Sequence, residues 1–265
     1  SIWGKTGLDR FIGRSCAAAL IAIVAAAGVP SRPARGQVIA SPSFQTFVTS
    51  LWPEAQALGI SRATFDQAFR GLTPDLTLPD LILPGTQRPS GAGQAEFTKT
   101  PADYINATQL ARLADQGRAL LRQHATTLQS VEQQIGVDRH VVLAIWGRET
   151  AYGGYKPTHS AIRALATQAF TGRRKEMFRT ELLHALKMVE LKVIAPEAMK
   201  ASWAGAMGLT QFMPSEYFTL ARDMDGDGRT DIWSSVPDAL GSAANQLKEK
   251  GWVPGLPWGF EVRAP

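Results

Sequence analysis

Cysteine is almost missing from this chain: Cys16 is the single one in 265 residues. The rest of the sequence therefore has no disulfide, no thiol nucleophile and no cysteine-based metal site. Long apolar runs are equally scarce. The one present, Cys16 to Val29, covers about 14 residues, short of the roughly 20 that a membrane-spanning helix needs. It follows Lys5, Arg10 and Arg14 and is followed by small residues, Ala27-Gly28 and Ala34-Arg35-Gly36. That order is the pattern of an export signal, and residues 1–37 are read as a signal peptide and linker, with an uncleaved inner-membrane anchor as the alternative. A lipid-attachment cysteine would follow such a run, whereas Cys16 begins it, so lipidation is excluded. A sustained surplus of one charge sign is lacking too. The net charge is +5, but residues 1–37 hold Lys5, Arg10, Arg14, Arg32 and Arg35 against Asp9 alone, leaving 23 basic and 22 acidic residues elsewhere. Binding to nucleic acid is excluded on that distribution. Strand-like alternation and internal repeats are missing as well.

What is present is helical periodicity. With 45% hydrophobic and 19% charged residues the chain can bury a real core. Phe44, Phe47, Leu51 and Ala55 recur at helical spacing, and a second helix starts at Ile60-Ser61 and runs through Phe65 and Phe69. Residues 73–101 are rich in Pro, Gly, Ser and Thr and read as a long irregular loop. One long helix is expected from Thr108 to Ile135, closed by Gly136, with His124 on its apolar stripe as a hydrogen-bonded core residue. Asp138 suits the N-cap of the next helix, which Gly153-Gly154 breaks. Further helices are expected over Lys175 to Ile194, stopped by Pro196, after Pro214, and over Pro237 to Lys250, with a glycine-punctuated turn from Trp203 to Met213 between them. The fold class is mainly α.

Glu149 is the residue that stands out. It falls four positions after Ile145 and seven after Val142, on one face of its helix. A carboxylate in apolar surroundings is costly to ionise, so its pKa rises and it can hold a proton near neutral pH, as a glycosidic general acid must. The residue types alone allow a plainer reading, a buried ion pair with a basic residue of another helix. A second feature is Asp223-Met224-Asp225-Gly226-Asp227-Gly228-Arg229-Thr230-Asp231-Ile232-Trp233. Carboxylates at alternate positions with glycine sixth match the start of an EF-hand calcium loop. Asp223, Asp225 and Asp227 would give side-chain oxygens and Arg229 its carbonyl, with Asp231 a further candidate. The twelfth position is Ser234 instead of the usual glutamate, which predicts weak affinity. An Asp-Gly-rich surface turn is the simpler alternative.

Three strings then carry a resemblance. Leu143-Ala144-Ile145-Trp146-Gly147-Arg148-Glu149-Thr150-Ala151-Tyr152-Gly153 resembles the catalytic motif of the lytic murein transglycosylase B family. Trp203-Ala204-Gly205-Ala206-Met207-Gly208-Leu209-Thr210-Gln211-Phe212-Met213-Pro214 resembles that family's second signature, and Asp223 to Trp233 its calcium loop. They occur in the family's order, within roughly residues 42–263. The resemblance implies a lysozyme-like α-domain over residues 38–265 with a cleft for peptidoglycan glycan strands. It implies that Glu149 protonates the oxygen between N-acetylmuramic acid and N-acetylglucosamine, then takes the proton of the muramyl 6-hydroxyl as a 1,6-anhydro ring closes. It places Tyr104, Ser202, Gln211, Phe212 and Met213 in substrate binding, and completes the calcium loop with Asp238. No cofactor is implied for catalysis beyond a structural Ca2+. The implied setting is the periplasm or cell envelope of a Gram-negative bacterium, as a monomer that can join cell-wall enzyme complexes. Family members continue well past the point matching Trp258 to Arg263, so the C-terminal part of the family domain is read as missing. A hydrolytic muramidase on the same fold and a non-catalytic wall-binding scaffold remain alternatives.

Overall fold

The computed structural model describes residues 43–83, 100, 106–257 and 259. The segment read as an export signal, Cys16, Tyr104, most of the 73–101 stretch and most of the stretch from Trp258 to Arg263 lie outside the described residues.

Ten helices and one two-stranded ladder make up the described residues. They run α1 (Phe44–Ser50), α2 (Trp52–Ala57), α3 (Arg62–Phe69), α4 (Ala107–Gln123), α5 (Ala125–Ile135), α6 (Arg139–Thr150), β1 (His159–Ser160), α7 (Ala161–Thr171), α8 (Lys175–Glu190), β2 (Lys200–Ala201), α9 (Pro214–Leu220) and α10 (Val236–Glu249). Short polar side chains start many of the helices by accepting an orphan backbone N–H: Ser43, Ser61, Asn106, Asp138, Ser160 and Ser235. The strands pair antiparallel, His159 with Ala201 and Ser160 with Lys200. No helix among the described residues is long and apolar enough to cross a membrane.

Two of the helical expectations change. The Thr108–Ile135 stripe is not one helix. It breaks at His124, whose backbone leaves the helical region (φ −106°, ψ 26°). The two halves serve different neighbours. α4 packs on α6 through Leu113 and Gly117, while α5 buries Leu128 and Val131 against α10. His124 is half-buried at the joint, its ring edge-on to Trp146 with centroids 5.8 Å apart, instead of lying in the core. The second change is at α8, which ends at Glu190 and not Ile194. Lys192 turns left-handed (φ 57°) and the Val193 N–H closes back on the Met188 carbonyl at 3.0 Å, ending the helix well before Pro196.

The core is split. One cluster gathers Leu51 and Phe65 with Leu165 of α7, Phe178, Leu182 and Leu186 of α8, and Ile232. The other gathers Leu128, Val131, Val142, Leu143, Trp146 and Leu240 between α5, α6 and α10. The glycine-punctuated segment after β2 belongs to both: Met207 and Phe212 enter the first cluster and Leu209 packs on the second. Met207 and Phe212 exchange backbone hydrogen bonds of 2.9 and 2.8 Å, a tight hairpin-like closure. Gly205 (φ 89°) and Gly208 (φ 78°) make it possible. A Cβ at Gly205 would stand 2.3 Å from Leu165 Cδ2, and one at Gly208 would stand 2.8 Å from the Ile232 carbonyl oxygen.

This arrangement corrects the groove-lining role expected of Phe212. Its ring is fully buried, because the closure with Met207 turns it into the first cluster. Met213 is half-buried and packs against the same cluster. Phe212→Ala should therefore lower folding stability by roughly 3–5 kcal/mol, as removal of a buried aromatic ring does. Equilibrium denaturation measures this; an unchanged stability would return Phe212 to the groove.

Candidate active site

α6 carries two stripes. Val142, Leu143, Trp146, Gly147 and Thr150 face the core, while Val141, Ala144, Ile145, Arg148 and Glu149 recur at three- and four-residue intervals along a groove. The groove encloses about 1100 Å³. Its far wall is residues 252–257, seated by a hydrogen bond of 3.1 Å from the Trp252 indole N–H to the Gly136 carbonyl. Pro254 lies where a Cβ at Gly136 would be 3.4 Å away.

Glu149 was expected within the apolar packing of its helix; it is exposed instead, on the groove stripe. The carboxylate can be reached from the groove side. The groove walls nevertheless displace enough bulk water to penalise the charged form, and this crowding raises its pKa above the usual glutamate range. The charge of neighbouring Arg148 pulls the other way and is the smaller effect. Glu149 is the penultimate residue of α6, where the helix dipole also disfavours a negative charge. No hydrogen bond or ion pair holds the Glu149 carboxyl among the described residues, so the plainer reading, a buried ion pair, does not apply.

The backbone beyond Glu149 is tightly held. The Thr150 hydroxyl is buried; it donates to the Leu209 carbonyl at 2.7 Å and accepts the Gly153 N–H at 3.0 Å. Leu209 in turn donates its N–H to the Ile232 carbonyl at 2.9 Å. The helix stops where Ala151, Tyr152 and Gly153 take left-handed conformations in succession (φ 49°, 58° and 77°). The expected break at Gly153-Gly154 thus begins two residues early. Tyr152 is folded back across the helices, its hydroxyl donating to the Leu113 carbonyl at 3.0 Å. A Cβ at Gly117 would stand 2.5 Å from that hydroxyl, and one at Gly147 would stand 2.6 Å from its ring. Spacing could not reveal this lock, although the paired glycines on facing helices were its trace in the sequence.

Ser202, Gln211, Phe212 and Met213 are not among the residues lining this groove. Ser202 is half-buried and accepts the Ala206 N–H at 3.2 Å. Gln211 is half-buried in a left-handed backbone (φ 58°), its side-chain amide donating to the Gly208 carbonyl at 3.1 Å. A non-glycine residue there is uncommon and costs free energy, so the surroundings must enforce it. Tyr104 is outside the described residues.

In the Asp-rich segment, Asp223, Asp225 and Asp227 are exposed and bring one carboxylate oxygen each within 4.8 Å of the others. Asp223 accepts the N–H groups of Gly226 (2.7 Å) and Gly228 (2.9 Å), which shapes the loop. Such a set of hard oxygen donors fits a calcium ion. Asp231 and Asp238 are outside this cluster. Asp231 accepts the Trp233 and Ser234 N–H groups, both at 2.9 Å. Asp238 is buried, and its oxygens accept the N–H groups of Met224 and Asp231, both at 2.7 Å. From the first turn of α10 it braces the loop through these N–H groups and stands outside the cluster, a correction to its expected role as the last ligand. Arg229 holds its N–H on Asp227 at 2.8 Å.

With this geometry in view, the chain matches the family described as the transglycosylase SLT domain over residues 43–265. It is 38% identical over 161 residues to membrane-bound lytic murein transglycosylase B of Escherichia coli K12, covering 56% of this chain and 44% of that protein. A solved structure of SltB3 from Pseudomonas aeruginosa in complex with NAG-anhNAM-pentapeptide superposes with a TM-score of 0.73 and 42% identity, covering 84% of this chain and 57% of that one. The Escherichia coli lytic transglycosylase Slt35 in complex with calcium superposes with a TM-score of 0.53 and 36% identity, covering 58% and 48%. The chain thus spans about half the length of these relatives.

The crowding around Glu149 predicts a carboxyl titration above that of an ordinary glutamate. Arg148→Gln should move it higher still, because a neighbouring positive charge favours the ionised form and its removal weakens that form. Carbon-13 NMR of labelled glutamate measures both; a normal titration in the parent chain would contradict the assignment.

Proposed function

This chain belongs to the transglycosylase SLT domain family, mainly helical and lysozyme-like in fold, and from that premise we propose that it cleaves peptidoglycan without water. One observation carries the reading: among the described residues, a single carboxylic acid stands at its end of the groove. The other acids lining it, Glu132 and Asp138, sit at the opposite end of α6. Asp138 precedes Glu149 by a helix length of about 16 Å at 1.5 Å per residue. Most hydrolytic glycosidases place their second carboxyl at about 5–5.5 Å or 6.5–9.5 Å. Glu132 is also engaged by Arg139, whose Nε donates to it at 2.7 Å.

One group must then serve twice. Protonated Glu149 gives its proton to the oxygen linking N-acetylmuramic acid to N-acetylglucosamine as the bond to the anomeric carbon breaks. The carboxylate left behind accepts the proton of the muramyl 6-hydroxyl, whose oxygen bonds to the same carbon. The product carries a 1,6-anhydro ring, and Glu149 regains the proton it gave. The raised pKa suits the first half of this cycle, and the open groove side lets the sugar reach the carboxyl. The name of the SltB3 complex, with its anhydro sugar, agrees with such a product. Gln211 and Ser202 belong to the sugar-binding surface in this reading, the strained backbone of Gln211 being the feature that favours it. The setting is the bacterial cell envelope, where the substrate is found.

Asp223, Asp225 and Asp227, with the Arg229 carbonyl, would hold a calcium ion. Its contribution is to neutralise three clustered carboxylates and stiffen the loop joined to Leu209 through Ile232.

Digestion of peptidoglycan followed by mass spectrometry tests the reaction. The parent chain should release anhydromuramyl ends, and Glu149→Gln should lose roughly a thousandfold in turnover while retaining strand binding. Reducing ends would favour a muramidase; binding without release by the parent chain would favour a scaffold. Calcium should raise the Tm of the parent chain, and Asp225→Ala/Asp227→Ala should abolish that rise.

A further inference from the structure

Arg148 has no task in the fold or in the reaction just described. Its guanidinium is exposed and lines the same groove as Glu149. Apart from Glu149 itself, the other charged groups along that groove are matched. Glu132 is paired with Arg139, and Asp138 accepts both the His140 N–H at 2.7 Å and its ring nitrogen at 3.0 Å. Among the described residues Arg148 forms no ion pair or hydrogen bond with a carboxylate, its charge acting on Glu149 without direct contact, and it is the sole Lys or Arg on the groove lining. An unpaired fork of N–H donors beside the reacting acid, in a largely apolar groove, is a carboxylate receptor in waiting.

We propose that Arg148 is a substrate-recognition residue that binds a carboxylate carried by the glycan strand close to the bond being cut. The inference rests on the reaction proposed above. A muramyl strand offers that chemistry from two sources: the lactyl carboxylate of peptide-free muramic acid, and the carboxylates of an attached peptide. A strand of N-acetylglucosamine alone offers none. Recognition of this kind also removes a conflict inside the site. In the free protein the Arg148 charge favours the ionised form of Glu149, opposite to what an acid needs. A substrate carboxylate seated on Arg148 cancels that charge, so the acid is fully armed only when the correct strand is bound. The plain alternative is that Arg148 merely complements the C-terminal dipole of α6, where a cation in the last turn is favourable. Lysine would serve the dipole equally well, whereas it cannot reproduce a two-pronged grip.

The test measures binding calorimetrically in the Glu149→Gln chain, where strands are held and not cut. Three probes are compared: an N-acetylglucosamine hexamer, peptide-free glycan strands and peptide-bearing strands. Arg148→Gln should weaken carboxylate-bearing probes tenfold or more and leave the hexamer within about twofold, with Arg148→Lys in between. Loss on peptide-free strands assigns the lactyl carboxylate; loss confined to peptide-bearing strands assigns the peptide. Arg148→Met, which keeps the aliphatic stem, is run in parallel in case the glutamine variant folds poorly. Equal losses on all three probes, or none on any, would overturn the proposal, as would full recovery by lysine. Because binding is read without turnover, failure of the parent chain to cut strands would count against the reaction separately.

Discussion

The geometry around Glu149 depends on one buried hydroxyl. Thr150 joins the end of α6 to the glycine-rich segment through the Leu209 carbonyl and holds the left-handed exit through the Gly153 N–H. The Thr150 hydroxyl is buried and its two partners are half-buried, and leaving a buried polar group unmatched costs about 1–3 kcal/mol. They fix the residue before Thr150 at the lip of the groove. Leu209 continues the connection to Ile232, so the acid, the glycine-rich segment and the Asp-rich loop share one chain of hydrogen bonds. The split core serves the same end. Met207 and Phe212 anchor the segment in one cluster while Leu209 reaches the other, which leaves the segment little freedom to drift.

The chemistry follows from what this framework leaves beside Glu149. Burial deep enough to neutralise the acid outright would also hide it from a sugar. The structure takes an intermediate course: the carboxyl is exposed to the groove, whose walls still displace enough water to raise its pKa. The remaining groove acids are spent on Arg139 and on the start of α6. In the proposed reaction, proton donation and proton recovery therefore fall on one oxygen pair, and a ring closure within the sugar replaces attack by water. Arg148 adds a charge that, in the proposed recognition, a carboxylate-bearing strand balances.

Much of this was legible in the sequence, for specific reasons. Helical periodicity found most of the helices, and Asp138 marked the start of α6 because N-cap chemistry is local. Glu149 and the glycine turns were marked by residue type and order. What the sequence hid was the partner of each face. An apolar stripe does not say whether it meets core or groove, which is why Phe212 and Glu149 exchanged the environments expected for them. The continuous stripe across His124 could not show that its halves pack on different helices. Spacing made Asp238 look like a metal ligand, whereas its burial beneath the loop commits its oxygens to backbone N–H groups.

The central claim is that a single carboxyl group both gives and recovers the proton, with no water molecule entering the bond. Cleavage in water enriched in oxygen-18 tests it most directly. The account predicts muramyl products of anhydro mass with no heavy oxygen incorporated at the anomeric carbon. Products that carry the label at that carbon from the first turnover would contradict it.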